Sequence, residues 1–346
     1  MDGTKKQKAT QADRLLLAIG VCRELPCQLA EQVTGSPSYA AALVTKLKKE
    51  GMIGCRSRDG LKGYVLHEKG RKYLIEHYPD QTEILDFDRN GIVRSEPEKR
   101  MRLHRMAYAW VWLYRAGTDL FGELSLLHPG ISHTVPGKYL TAGKIKRALS
   151  KEAGGSRCCG ILMLPGRAWC VYHTLSCRMK WSGKTEWTFR MRTAYFLYGG
   201  GEEERVQALF LADGMEILPV LLAGDRGIKN QLFSLDDTYE KTCLLPAIPE
   251  AILQYRLLCE EELEEKLEQL VRQAAGEDVT CLWTLDLWEI RRFASKAACR
   301  GGRGICFDYQ AETLEKCVGK ESLIVLDVKK VETQLERLGG NGKERK

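Results

Sequence analysis

A chain of 346 residues, 44% of them hydrophobic, can bury at least one sizeable core and has room for two domains, which excludes a small module or a disordered polyelectrolyte. Thirteen cysteines scattered over this length, with no apolar run of membrane-spanning length and an opening MDGTKKQKATQ that lacks an apolar signal segment, lead us to expect a cytoplasmic protein with reduced thiols and no membrane partner. The net charge of +7 is uneven: residues 1–80 hold fourteen Lys/Arg against nine Asp/Glu and the rest thirty-nine against thirty-seven, so a polyanion site is expected near the N-terminus.

Residues 1–9 read as a loose basic arm. QADRLLLAIGVCREL predicts a first helix from Thr10, with Leu16, Ile19 and Arg23 along one side. Pro26 opens a shorter second helix, PCQLAEQV, which stops at Thr34-Gly35. In the third, Ser36 is placed to cap and Pro37 suits the first turn, while Gly51 supplies a left-handed C-terminal cap. Ala40, Leu43 and Leu47 recur at helical spacing on its inner side, leaving Ser38, Tyr39, Thr45, Lys46 and Lys49 outside. Residues 52–58 then predict a strand, Asp59-Gly60 a tight turn, and 63–67 the returning strand, with Arg56, Arg58 and Lys62 at the tip. A helix pair followed by such a hairpin predicts a winged helix-turn-helix domain over residues 1–80. A cationic helix face beside a cationic hairpin suits a major groove and its flanking phosphates. The predicted DNA-binding residues are therefore Ser38, Tyr39, Thr45, Lys46, Lys49, Arg56, Arg58 and Lys62. The helix RKYLIEHY, with Tyr73, Leu74 and His77 inward, is expected to close the domain near Pro79.

Residues 81–135 are expected to form a linker and a basic amphipathic helix: PDQTEILDFDRNGIVRSEP, from Pro79 to Pro97 with an Asn90-Gly91 turn signal, reads as a linker or a small hairpin, and the helix EKRMRLHRMAYAWVWLYRAG is lined by Leu103, Met106, Trp110 and Leu113. Lys99, Arg100, Arg102 and Arg105 crowd its first turns, where positive charge opposes the macrodipole, so they are expected to have an anionic partner, protein carboxylate or phosphate. His104 reads as a packed or surface imidazole because no second metal ligand lies at helical spacing. Taken together, SPSYAAALVTKLKKEGMI, LHEKGRKYL and LHRMAYAWVWLY resemble the replication-relaxation family of plasmid and integrative-element proteins, over residues 10–117. The resemblance implies a non-enzymatic accessory factor at a replication or transfer origin, with relaxase or replication proteins as partners beside double-stranded DNA. The family tends to be arginine-rich on the outer recognition helix, where this chain has Ala41 and Ala42, which shifts the expected contacts to Lys46, Lys49 and the wing.

Residues 120–155 are loop-rich and end in a basic helix, TAGKIKRALSKE. Strands expected at 158–164, 167–175, 206–212, 241–245, 279–285, 304–309 and 322–327 interleave with helices at 186–198, 249–258, 260–275 and KKVETQLERL, with 216–223 fitting either. This predicts an α/β domain with a mixed sheet over 136–338 and a disordered tail at 339–346, so that the chain as a whole is α+β.

Three patterns carry possible chemistry. Cys158, Cys159, Cys170, His173 and Cys177 include a C-x2-H-x3-C run, but Cys170 and His173 fall on opposite faces of a predicted strand, so buried thiols are expected instead of a metal site. Asp308, Asp327 and Lys329 fit a permissive metal-nuclease pattern, although Asp327 sits where an N-cap is due. Gly183-Lys184-Thr185 ends like a phosphate loop but Arg178 replaces its first glycine. Trp181, Trp187, Phe189, Tyr195 and Phe196, interleaved with Lys180, Lys184, Arg190 and Arg192, also form a mix able to stack on single-stranded bases. No catalytic residue, metal or cofactor is assigned. The expected partners are double-stranded DNA, replication or relaxase proteins, and a second copy of the chain as a homodimer. The alternatives are a transcriptional regulator whose C-terminal domain senses or dimerises, and a metal-dependent nuclease.

Overall fold

The computed structural model describes residues 9–81, 96–120, 128, 134–143, 145, 149, 155–175, 181–223, 238–276, 278–300 and 302–340. The fold is mixed α+β, with both antiparallel and parallel strand pairing. The chain forms two compact units, 1–148 with 158–163, and 149–157 with 164–346. The first unit therefore runs well past Pro79. The basic arm at 1–8, the 82–95 linker, most of the basic segment after Thr141, Cys177, Lys180 and the tail at 341–346 lie outside the described residues.

In the first unit, helix α1 (Gln11–Cys22) starts at Thr10, whose hydroxyl accepts from the Asp13 amide at 3.2 Å while the Asp13 carboxylate accepts from the Thr10 amide at 2.7 Å. Asp13 also accepts from the Tyr73 hydroxyl at 2.8 Å, which ties α1 to helix α4. Leu16 and Ile19 are buried as expected, but Arg23 lies beyond the helix with φ of +62°, so it does not extend their stripe. Strand β1 (Leu25–Pro26) and a 3-10 turn (Cys27–Leu29) precede a short helix α2 (Ala30–Thr34), which stops at Gly35 with φ of +78°. The PCQLAEQV segment is thus half 3-10 turn, because Pro26 continues a strand instead of opening a helix.

Helix α3 (Pro37–Lys49) has Pro37 in its first turn, while Ser36 occupies the N-cap position without a side-chain capping bond. It ends as the glycine demands: the Gly51 amide donates to the Lys48 carbonyl at 3.0 Å and the Met52 amide to the Leu47 carbonyl at 2.9 Å, with Gly51 at φ of +72°. Strands β2 (Ile53–Arg58) and β3 (Leu61–Leu66) pair from Ile53↔Leu66 to Arg58↔Leu61. Asp59 and Gly60, both at positive φ, make the two-residue turn between them, and β1 adds to the far side of β3 in the order β1-β3-β2. In α4 (Glu68–His77), Leu74 is buried and Tyr73 half-buried, but His77 is exposed. Its ring stacks on Tyr73 at 4.1 Å, and Tyr78 takes the inward place. Helix α5 (Pro97–Arg115) is buried nearly all round from Ala107, far more than a one-sided amphipathic stripe would be. Strands β4 (Lys138–Thr141) and β5 (Gly160–Leu164) pair antiparallel, so Thr141 ends a strand rather than opening a helix.

In the second unit, β6 (Arg167–His173), β7 (Val206–Ala212) and β8 (Thr242–Pro246) run parallel, with Val171↔Leu209 and Leu209↔Cys243 in register. Burial on both faces explains why these strands read as unbroken apolar runs. Residues 216–223 are helical, with Leu218–Ala223 an α-helix after a 3-10 turn. A second parallel set, β9 (Val279–Cys281), β10 (Arg303–Phe307) and β11 (Leu323–Leu326), has β10 at its centre. The helices Glu261–Ala275 and Val328–Gly340 add Leu267, Val271, Val331 and Leu335 to a core with Trp283, Ile305 and Phe307. Two buried amides satisfy backbone groups there. Gln254 Nε2 donates to the Leu244 carbonyl at 2.8 Å, and Gln310 Nε2 to the Trp283 carbonyl at 2.9 Å. The helices Leu287–Arg300 and Asp308–Val318 were not predicted, since the apolar runs before each drew Leu285 and Tyr309 into strands.

The space around Gly51 is open, with nothing within 4 Å of a built Cβ, so only backbone strain opposes a side chain there. Gly51→Ala is expected to lower stability by about 1 kcal/mol, read as a shifted urea midpoint with unchanged slope.

Candidate nucleic-acid interface

The outer side of α3 is set by its inner one. Ala40, Leu43, Val44 and Leu47 are buried, which turns Ser38, Tyr39, Ala41, Ala42, Thr45, Lys46, Lys48 and Lys49 to solvent. All five α3 residues predicted from sequence are on this exposed side, with Tyr39 48% accessible. Thr45 donates its hydroxyl to the Ala41 carbonyl at 2.9 Å, so its oxygen keeps only acceptor capacity outward. Lys46 lies 3.9 Å from Glu50, an exposed pair that restrains the ammonium little. Lys48, missed in the sequence reading, sits 5.1 Å over the ring of Tyr64 in β3 and so links the helix surface to the hairpin. Its signal was present in the run Lys46, Lys48, Lys49, but helical spacing alone does not say which strand ring lies below.

At the hairpin, Arg58 and Lys62 are exposed and Arg56 is half-buried. Arg58 approaches Asp59 at 3.5 Å with two thirds of its side chain accessible. The structure thus brings the predicted residues together on two adjoining elements, α3 and the β2–β3 hairpin.

What holds the hairpin is one of the helix-start cations for which the sequence predicts an anionic partner, protein carboxylate or phosphate. Arg100 in α5 is wholly buried. Its Nε donates to both Glu24 oxygens, at 3.1 and 3.0 Å, and Nη2 reaches Glu24 Oε1 at 2.5 Å. The same guanidinium donates to the carbonyls of Arg58 at 2.8 Å, Leu61 at 3.1 Å and Arg56 at 3.4 Å. His104 Nε2 lies 3.0 Å from Glu24 Oε1, which makes it a packed imidazole. The anionic partner of Arg100 is therefore a protein carboxylate, and Lys99 likewise pairs with Glu96 at 2.7 Å. Burial alone would raise the Glu24 carboxyl, but hydrogen bonds from His104 and Arg100 and their charges overcome it and hold the group at about 2, below the ordinary 4.5. Gly63 is required beside this node, since a Cβ there would lie 2.6 Å from Glu24 Cγ.

The other patterns resolve differently. Among the described residues no three His, Cys, Asp or Glu side chains come together as metal ligands. Asp327 takes the N-cap role, accepting from the Lys330 amide at 3.0 Å, a bond that holds its carboxyl below the usual range. Asp308 accepts from the Tyr309 amide at 2.9 Å. Gly183-Lys184-Thr185 simply open the helix Gly183–Tyr198. In the aromatic run, Trp181, Phe189 and Arg190 are buried, whereas Trp187, Tyr195 and Phe196 are exposed. Comparison with models of known protein families, with curated proteins and with solved structures returns no match.

Arg100→Met leaves the buried Glu24 carboxylate without its main partner and is expected to cost about 3–5 kcal/mol in chemical denaturation. Because the folded-state value of Glu24 is lowered, its ionised form stabilises the protein at neutral pH, and that contribution is lost as pH falls from about 4.5 toward 2. Glu24→Gln should flatten the acid limb of stability against pH over this range; an unchanged limb contradicts the assignment.

Proposed function

We propose that the chain is a double-stranded DNA-binding protein whose N-terminal unit is a winged helix-turn-helix, with α3 as recognition helix and the β2–β3 hairpin as wing. Supporting this reading are the order of elements from α1 to β3, the three-stranded arrangement β1-β3-β2, and the two-residue Asp59-Gly60 turn. One observation carries it: the exposed lysines of α3 adjoin a hairpin bearing Arg56, Arg58 and Lys62, whose backbone is fastened from beneath by Arg100.

In this mechanism α3 enters the major groove. Ser38, Tyr39 and the Thr45 oxygen meet base edges, while Lys46 and Lys49 reach phosphates. Ala41 and Ala42 let the helix axis approach closely, and their methyls suit the thymine methyl group. Arg56, Arg58 and Lys62 grip the flanking backbone. On the sequence resemblance to the replication-relaxation family, the proposed role is in the replication or transfer of a mobile genetic element, as a non-enzymatic factor alongside a relaxase or replication proteins. A second reading, a transcriptional regulator with a ligand-sensing C-terminal unit, is favoured by an open groove of about 960 Å³ there, lined by Pro219, Leu222, Trp288, Arg291, Arg292 and Lys296 among others. Footprinting at an origin against the protein's own promoter separates the two.

Lys46→Ala combined with Lys49→Ala should weaken duplex binding and lower the dependence of log K on log salt by about one unit per lost phosphate contact. Lys266→Ala, in the second unit, should leave both unchanged. Equal affinity and slope for the double variant would reject the proposed interface.

A further inference from the structure

Two thiols meet beside the hairpin. Cys27 opens the 3-10 turn that follows β1, Cys55 lies in β2, and their Sγ atoms are 3.8 Å apart. Cys55 is exposed and Cys27 half-buried, whereas most of the other described cysteines are buried. Strand β3 runs between β1 and β2, and its Tyr64, in register with both Leu25 and Cys55, hydrogen bonds to Cys27. Helices α2 and α3 both lie in the chain segment that separates the two cysteines.

We infer that Cys27 and Cys55 are an oxidative modification site, converted to an intramolecular disulfide by a low-molecular-weight disulfide such as oxidised glutathione. The Sγ atoms need to close by roughly 1.8 Å to reach an S–S bond of about 2.05 Å. Cys55, the accessible thiol, loses its proton and attacks the small disulfide, forming a mixed disulfide and releasing one small thiolate. Cys27 then loses its proton, attacks Cys55 Sγ and expels the second thiolate. Two protein thiols surrender two electrons and two protons, and the small disulfide becomes two thiols. Burial pushes the Cys27 thiol up to about 11, with Tyr64 and Cys55 as its neighbours, which makes Cys27 the slower, resolving partner.

The bond would enclose α2 and α3 in a covalent loop and strain the β1-β3-β2 sheet across Tyr64, shifting the hairpin against the lysines of α3. This consequence rests on the proposed DNA-binding function; the cross-link itself does not. Oxidation is therefore expected to weaken duplex binding several-fold.

The full chain, equilibrated in glutathione buffers of graded oxidised-to-reduced ratio, acid-quenched, alkylated and digested, should yield a peptide joining Cys27 to Cys55. Cys27→Ser should instead accumulate a glutathione adduct on Cys55, and Cys55→Ser should abolish the cross-link. A wild-type digest with glutathione on Cys55 and no joined peptide overturns the site. Duplex titration of the reduced and oxidised chains is read separately. Weaker binding by the oxidised form supports the regulatory consequence, and equal affinity overturns it. Failure of the reduced chain to bind duplex overturns the proposed function while the peptide map still decides the thiol pair.

Discussion

The hairpin half of the candidate interface in the first unit depends on one buried guanidinium. A two-stranded hairpin is marginal alone, and β1 adds only two residues to it. Arg100 supplies what the short sheet lacks, by donating to carbonyls on both arms of the hairpin while its charge is neutralised by Glu24. Desolvating two charges is costly, and the arrangement is tolerated because each guanidinium nitrogen and each carboxylate oxygen has a hydrogen-bond partner. Its gain is in position. The carbonyls of Arg56 and Arg58 are held from within, so their side chains emanate from a fixed backbone.

That separation of roles organises the cations of the N-terminal unit. Arg100 is structural and unavailable to a ligand, whereas Lys46, Lys48, Lys49, Arg58 and Lys62 stay at the surface, where Lys46 and Arg58 make loose pairs with Glu50 and Asp59 and Lys48 lies over the Tyr64 ring. Exposed pairs of this kind contribute about 0–1 kcal/mol, little against the release of counterions from a duplex. The second unit is built differently, from two sets of parallel strands, the first of them buried on both faces, with buried amides satisfying backbone groups, and its surface offers exposed aromatic side chains and an open groove lined in part by Arg291, Arg292 and Lys296.

Much of the local geometry was legible in the sequence, and for stereochemical reasons. Gly35, Gly51 and Asp59-Gly60 mark backbone turns that few other residues tolerate, and all fall at positive φ. Pro37 marked a helix start because it needs no donor there. Alternatives that depend on long-range partners were not legible. Nothing local distinguishes Arg100 from Arg102 or Arg105, and only the fold brings Glu24, seventy-six positions away, to it. His77 fits an inward position by period yet stacks on Tyr73 at the surface. The helices Leu287–Arg300 and Asp308–Val318 were hidden behind apolar runs that read equally well as longer strands. The contact between Cys27 and Cys55 likewise exists only through the order of β1, β3 and β2.

The most direct test is hydrogen–deuterium exchange of the full chain with and without a duplex that it binds. Binding through the N-terminal unit predicts that added protection concentrates in α3 and in the β2–β3 hairpin, with the second unit little changed. Protection confined to the second unit, with α3 and the hairpin exchanging as in the free protein, would contradict it.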